Sequence, residues 1–336
     1  MRNTVIAGVC VALSFGAVQA HAQLAVSSND HKVKQENGVT SNVTDPQPDS
    51  VTILDLGVLP VKVVGTIANV PGSVVGPPLS VAITPDESLA LVASSTMIDP
   101  ADKTKTTPDD RVSVIDLKDR KVIDTIKTGK GAAGISISKD GKRAYVSNRA
   151  AGTVSILAID GKKVSLVKTV EVAPRPYAVS ITPDGRRAVV ASLGDPKANG
   201  MFTIIDITGD MPKIVGTADI GHEALEGAMM SADGKWIAGV AHAGSTRPKD
   251  APQYKATGMV VLYKLDGDKL TKVSEAPIGA WSQGASFSRD GKTLAVQNMI
   301  QKNIQVFRND DGKLTDTGQK IDVGGGAAAI RSSTDR

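Results

Sequence analysis

The chain has 336 residues, with 33 glycines, 41% hydrophobic residues and only 3% aromatics. A formal net charge of +4, spread along the chain, is too weak a signal for a nucleic-acid binder. Beyond the N-terminus no apolar run is long enough to span a membrane.

Residues 1–22 read as a secretory signal. Arg2 supplies the positive start, residues 5–18 the apolar centre, and Ala20-His21-Ala22 a small-residue cleavage site. The mature chain is expected to begin at Gln23, with cleavage after Ala20 as the alternative. The single cysteine, Cys10, lies inside this signal and is preceded by Val9, a poor fit to a lipidation site. The mature chain then has no thiol, disulfide or cysteine-based metal site. A periplasmic or secreted location is expected.

Residues 24–28 read as a strand, 29–50 as a polar stretch broken by Pro46 and Pro48, and 51–56 and 61–67 as two further strands. A repeat then begins. It reads Thr84-Pro85-Asp86-Glu87, Ser138-Lys139-Asp140-Gly141, Thr182-Pro183-Asp184-Gly185, Ser231-Ala232-Asp233-Gly234 and Ser288-Arg289-Asp290-Gly291. Each copy is followed by a short apolar strand. Asp-Gly reverses the chain, because Gly tolerates positive φ and Asp bonds its own backbone. Helical periodicity is absent, and repeats of 44 to 57 residues made of short strands indicate propeller blades.

In the third copy an inner strand (178–181) precedes the turn, and three more follow at 188–191, 202–207 and 213–217. Residues 324–332 look like one more inner strand with no turn after it. The mature N-terminus supplies the missing three strands. The expectation is one all-β domain over residues 23–336: a β-propeller of four-stranded blades, six by this count and seven possible. Pairing of the N- and C-terminal strands closes the ring and removes its open edges.

The run Tyr145-Val146-Ser147-Asn148 after a Lys-Asp-Gly turn resembles the YVTN-type β-propeller repeat of bacterial secreted propellers and of the lactonase-like superfamily. The resemblance spans nearly all of residues 24–332. It implies a site at the central channel, and members usually have seven blades.

Propeller geometry sorts the loops onto two faces. The Asp-Gly face carries Lys142, Arg143, Arg186, Arg187, Lys235, Arg289 and Lys292, which read as a solvated rim. Loops that lead into the inner strands open on the other face and carry Lys130, Arg175, Tyr177, His222, Glu223, Glu226, Trp281 and Gln283. The longer loop at 242–257 adds His242 and Arg247, and the loop at 96–110 stands beside it. Arg175 and Arg247 suit bidentate recognition of a carboxylate or phosphate. His222 with Glu226 suits general acid–base work. Trp281 suits a stacking floor. Each also has a plain structural reading: a strand-end cap, a surface charge or a packing plug. The spacing of His31, His222 and His242 matches no metal motif, so no metal is expected. No nucleophile-elbow, zinc-protease or phosphate-loop pattern occurs, and no cofactor is expected.

The reading favoured by the sequence is a monomeric, non-enzymatic propeller that binds a small anionic molecule or a protein partner through this loop-rich face. The alternative, implied by the resemblance alone, is a lactonase-like hydrolase acting on a sugar lactone or related small acid.

Overall fold

The computed structural model describes residues 22–172, 180–193, 198–209 and 211–333. The stretch expected to be an export signal, apart from Ala22, lies outside them, as do Arg175 and Tyr177.

The repeating Ser/Thr-x-Asp-Gly unit has a common hydrogen-bond pattern. The Ser138 hydroxyl donates to Asp140 Oδ1 at 2.6 Å and accepts from the Arg143 N–H at 3.0 Å. Ser231 does the same with Asp233 and Trp236, and Ser288 with Asp290 and Thr293. The Asp carboxylate then accepts an N–H two residues on, as from Lys142 to Asp140. Gly141, Gly185, Gly234 and Gly291 all have positive φ. In the first copy Glu87 takes that left-handed position at φ 58.

Each turn joins the first two strands of a blade, and six four-stranded antiparallel sheets result. From the axis outward, blade 1 is Gly326–Ser332, Leu24–Asp30, Ser50–Asp55 and Lys62–Ala68. Blade 2 is Val81–Ile83, Leu89–Ala93, Arg111–Asp116 and Lys121–Lys127. Blade 3 is Ala132–Ile137, Arg143–Asn148, Thr153–Asp160 and Lys163–Glu171. Blade 4 is Ser180–Ile181, Arg187–Ser192, Met201–Asp206 and Lys213–Asp219. Blade 5 is Leu225–Met230, Trp236–Ala241, Gly258–Asp266 and Lys269–Ile278. Blade 6 is Ser282–Phe287, Thr293–Asn298, Asn303–Asp310 and Lys313–Asp322. The chain is thus a six-bladed β-propeller, without a helix among the described residues.

Blade 1 is built from both ends of the chain. Val26 lies opposite Arg331 and Ser28 opposite Ala329 in an antiparallel ladder. The polar stretch after it forms more structure than its composition suggests: Val33–Glu36 pairs with Val39–Asn42. A second hairpin, Thr96–Ile98 with Thr106–Pro108, stands beside it. Asn42 Nδ2 links the two by donating to the carbonyls of Lys103 and Lys105.

Packing between blades is uneven. Five apolar clusters join blade 1 to 2, 2 to 3, 4 to 5, 5 to 6 and 6 to 1. Among the described residues none joins blade 3 to blade 4. The second and third strands of blades 1, 2, 5 and 6 are buried on both faces. In blade 3 the second strand alternates, with Ala144 and Val146 buried and Arg143 and Tyr145 exposed. The third strand of blade 4 does likewise, with Phe202 and Ile204 buried and Met201 exposed. Alternation of this kind marks a sheet with one packed and one open face.

Candidate functional site at the channel mouth

The site follows from a repeated irregularity. The inner strands of blades 5 and 6 open with a register shift, between Leu225 and Gly227 and between Ser282 and Ala285. Blade 3 shifts between Ala132 and Ile135. A residue in the left-handed region stands just before each: Gly131, Ala224 and Trp281, with φ of 79, 55 and 51. A bulge leaves one residue unpaired and re-aims its side chain. In blade 5 that residue is Glu226. In blade 6 the shift spans Gln283 and Gly284.

Glu226 and Gln283 thereby enter a cavity of about 500 Å3 at the mouth of the channel. Blades 3 to 6 each contribute a strand residue or one directly flanking a strand, and Ser95 and Thr96 reach the wall from just past the second strand of blade 2. Ser73 to Pro77, on the connection from blade 1 to blade 2, complete it. The polar lining is Arg149, Glu226, Gln283, Ser73, Ser95 and Thr96, and the apolar side includes Ala191, Leu193, Leu225 and Trp281.

Position explains the partner of Glu226. His242 directly follows the second strand of blade 5, and its N–H donates to the Ala224 carbonyl. Arg149 holds the equivalent place in blade 3, with its N–H on the Gly131 carbonyl. The buried His242 ring bonds the Ser282 backbone and presents Nε2 3.3 Å from Glu226 Oε1. The two atoms are within ion-pair distance but are not aligned for a hydrogen bond. Burial pushes the Glu226 carboxyl up to about 7, against the pull of the Arg149 charge. Burial pushes His242 down to about 4, against the pull of Glu223. A carboxyl poised near neutrality in a cavity wall is able to give and take a proton there.

The wall formed by residues 72–75 is held from behind. Lys32 Nζ donates to the Gly72 carbonyl at 3.2 Å and pairs with Asp30 and Asp49. Asp49 accepts the N–H groups of Gly72 and His31, and Asp30 accepts that of Val75 at 2.9 Å. Burial raises the Asp30 pKa despite the ammonium of Lys32. Gly76, at φ 63, packs so closely that a Cβ there would lie 2.8 Å from Gln283 Oε1.

The other sequence-derived candidates are placed elsewhere. Glu223 and Arg247 are joined to each other by two side-chain hydrogen bonds, and the guanidinium holds the Glu223 carboxyl below its ordinary range. His222 turns outward, with Nε2 2.9 Å from Glu275 on the outer strand of blade 5. Lys130 is exposed and does not line the mouth. Trp281 is buried between the mouth and a second cavity of about 390 Å3 that His31 lines, and its N–H donates to Ser245 Oγ. The expected pairing of His222 with Glu226 is therefore replaced by His242 with Glu226. Arg149 and the Lys32 network carry no local motif. The signal for the bulges was a Gly within or directly after each: Gly134, Gly227 and Gly284. Among the described residues no group of three or more His, Cys, Asp or Glu could hold a metal ion.

A family model described as a seven-bladed β-propeller lactonase matches residues 105–225, from the middle of blade 2 to the start of blade 5. No curated protein matches the chain. Among solved structures, the chain is similar to a proposed 6-phosphogluconolactonase from Bacteroides fragilis NCTC 9343. The identity is 15% and the TM-score 0.63, with 94% of this chain and 99% of that one covered. A second proposed 6-phosphogluconolactonase, from Bacteroides uniformis ATCC 8492, gives 14% identity and a TM-score of 0.51 over 93% and 100% of the two chains. TolB from Acinetobacter baumannii gives 18% and 0.52, over 93% of this chain and 66% of that one. At these identities the likeness is one of fold.

Proposed function

We propose that the chain is an exported lactone hydrolase whose reaction takes place at the channel mouth. The observation that carries this reading is Glu226, a carboxyl held near neutrality in the wall of a polar cavity and faced by a neutral imidazole. The sequence alone favours binding without turnover; the protonation state of Glu226 favours catalysis. The partial match to a lactonase family model supports the same direction.

In this mechanism the Glu226 carboxylate takes a proton from water as the water oxygen adds to the lactone carbonyl. Arg149, on the same wall, offers positive charge to the oxygen that becomes negative. The ring C–O bond then breaks, and the proton on Glu226 passes to the departing ring oxygen. One water is consumed, and a hydroxy acid leaves. An anionic group on the substrate would suit Arg149 as well, in keeping with the small anionic ligand expected from the sequence.

A screen of purified protein against δ-valerolactone and sugar-acid lactones tests the reading. Hydrolysis above the spontaneous rate that disappears in Glu226→Gln is expected. Full turnover in that variant, or none in the wild type, would count against it and return the chain to a binding role.

A further inference from the structure

The hairpin at 33–42 roofs a cavity that the channel mouth does not use. It leaves blade 1 just after Asp30, and its tip meets the 242–257 loop of blade 5. There the Lys249 N–H donates to Asn37 Oδ1 at 2.8 Å, and a Cβ on Gly38 would lie 2.7 Å from Pro248. Blade 6 packs between blades 5 and 1, so the hairpin crosses over it. The space enclosed is the cavity of about 390 Å3, walled by the hairpin and its exit on one side and by Trp281, Met299, Ile300 and Lys302 of blade 6 on the other.

The glycine run at 324–326 makes room for this wall. A Cβ on Gly325 would stand 2.6 Å from His31 Nε2, and one on Gly326 would stand 2.8 Å from Met299 Cγ. The Val323 N–H donates to the Lys302 carbonyl, so His31 and Lys302 reach the cavity from neighbouring positions along the 323–325 backbone. Some of the polar lining is already committed. Asp30 accepts the Val75 N–H and pairs with Lys32, and Lys34 pairs with Glu36 at 3.1 Å. Among the described residues the Lys302 ammonium, the Asp45 carboxylate and the His31 ring have no hydrogen-bond or ion-pair partner. Two opposite charges thus line one cavity without pairing with each other. Its apolar side is Trp281, 5% exposed, with Met299 and Ile300.

From this arrangement we infer that the cavity under the hairpin is a second binding site, and that its ligand is a free α-amino acid with an apolar side chain. The ligand carboxylate takes the Lys302 ammonium and the His31 ring N–H, and its ammonium takes Asp45. Its side chain rests on Trp281 and Met299. A concave, largely apolar site with a few polar groups around it suits a small molecule of this kind. A simple anion would leave Asp45 facing it, and a simple cation would meet Lys302; a zwitterion answers both. The site is independent of the lactone reading, since it shares only Trp281 with the mouth.

The test titrates L-phenylalanine, phenylacetate and phenethylamine into the purified protein. Calorimetry reads binding, and Trp281 fluorescence reads its place, with Trp236→Phe removing the other tryptophan. L-phenylalanine is expected to bind saturably and to change the Trp281 emission. Phenylacetate and phenethylamine each lack one charge and are expected to bind at least about tenfold more weakly. Lys302→Met should weaken L-phenylalanine about tenfold and leave phenethylamine unchanged, and Asp45→Asn should weaken L-phenylalanine and leave phenylacetate unchanged. Both residues are exposed, so neither variant disturbs the core, which circular dichroism checks. Phenylacetate or phenethylamine binding as tightly as L-phenylalanine overturns the zwitterion. Equal L-phenylalanine affinity in wild type and both variants places the ligand elsewhere and overturns the site. So does the absence of binding by all three compounds at millimolar concentration.

Discussion

Glu226 and His242 face each other at 3.3 Å, and burial moves their pKa values in opposite directions, the carboxyl up to about 7 and the imidazole down to about 4. Both shifts favour the neutral form. The pair stores no charge at mildly acid pH, and a proton enters or leaves it at the carboxyl.

This opposition predicts how stability depends on pH. Glu226 is raised in the native state, so its contribution is full below pH 4.5 and is lost as pH rises through about 7. His242 is lowered, so its native state gains stability as pH rises from about 4 to 6.5. Each shift corresponds to roughly 3 kcal/mol, and the two slopes offset each other between pH 4.5 and 6.5. Urea titrations should show Glu226→Gln gaining about that amount over this range, and His242→Gln losing it. Identical pH profiles for wild type and both variants would contradict the assignment.

Catalysis should follow the same carboxyl. As general base Glu226 must be ionised, so kcat/KM for δ-valerolactone should rise with pH and level off above about 7. Glu226→Asp should retain a pH-dependent residue of activity and Glu226→Gln none. An initial-rate profile flat from pH 5 to 9 would exclude this role.

Lys32 should matter beyond its own surface. Lys32→Met leaves Asp30 and Asp49 buried without their cation, at a cost of about 3–5 kcal/mol. Adding Asp49→Asn should recover part of that loss, as thermal melts of the single and double variants will show. Additive losses would mean that Lys32 and Asp49 do not act as a pair.

Closed and open interfaces should respond differently to truncation. Ile330 is fully buried where blade 1 meets blade 6, and Ile330→Ala should cost about 2–5 kcal/mol. Ile181 stands on the open seam, and Ile181→Ala should cost less than about 1 kcal/mol. Equal losses in chemical denaturation would show that blades 3 and 4 pack together as the others do.

The blades were legible in the sequence because their causes are local. A Ser or Thr two residues before Asp, and Gly after it, encodes the turn through bonds spanning five residues, and alternation of apolar side chains encodes each strand. Even the closure of blade 1 could be read, since a lone inner strand at one end matched three outer strands at the other. The site was legible only as a face. Its cations and acids were visible as loop residues, but their pairing was not. Arg247 is spent on Glu223, His222 turns to Glu275 from an outer strand 53 residues away, and His242 takes the place beside Glu226. Those choices depend on which strands end next to one another around the axis. The same holds for the Glu226 carboxyl, whose raised pKa comes from the atoms packed around it, and for the exposed faces of blades 3 and 4, which share no apolar cluster among the described residues. Hydrogen bonds within a turn are set by neighbours in the chain, whereas burial and charge pairing are set by neighbours in space.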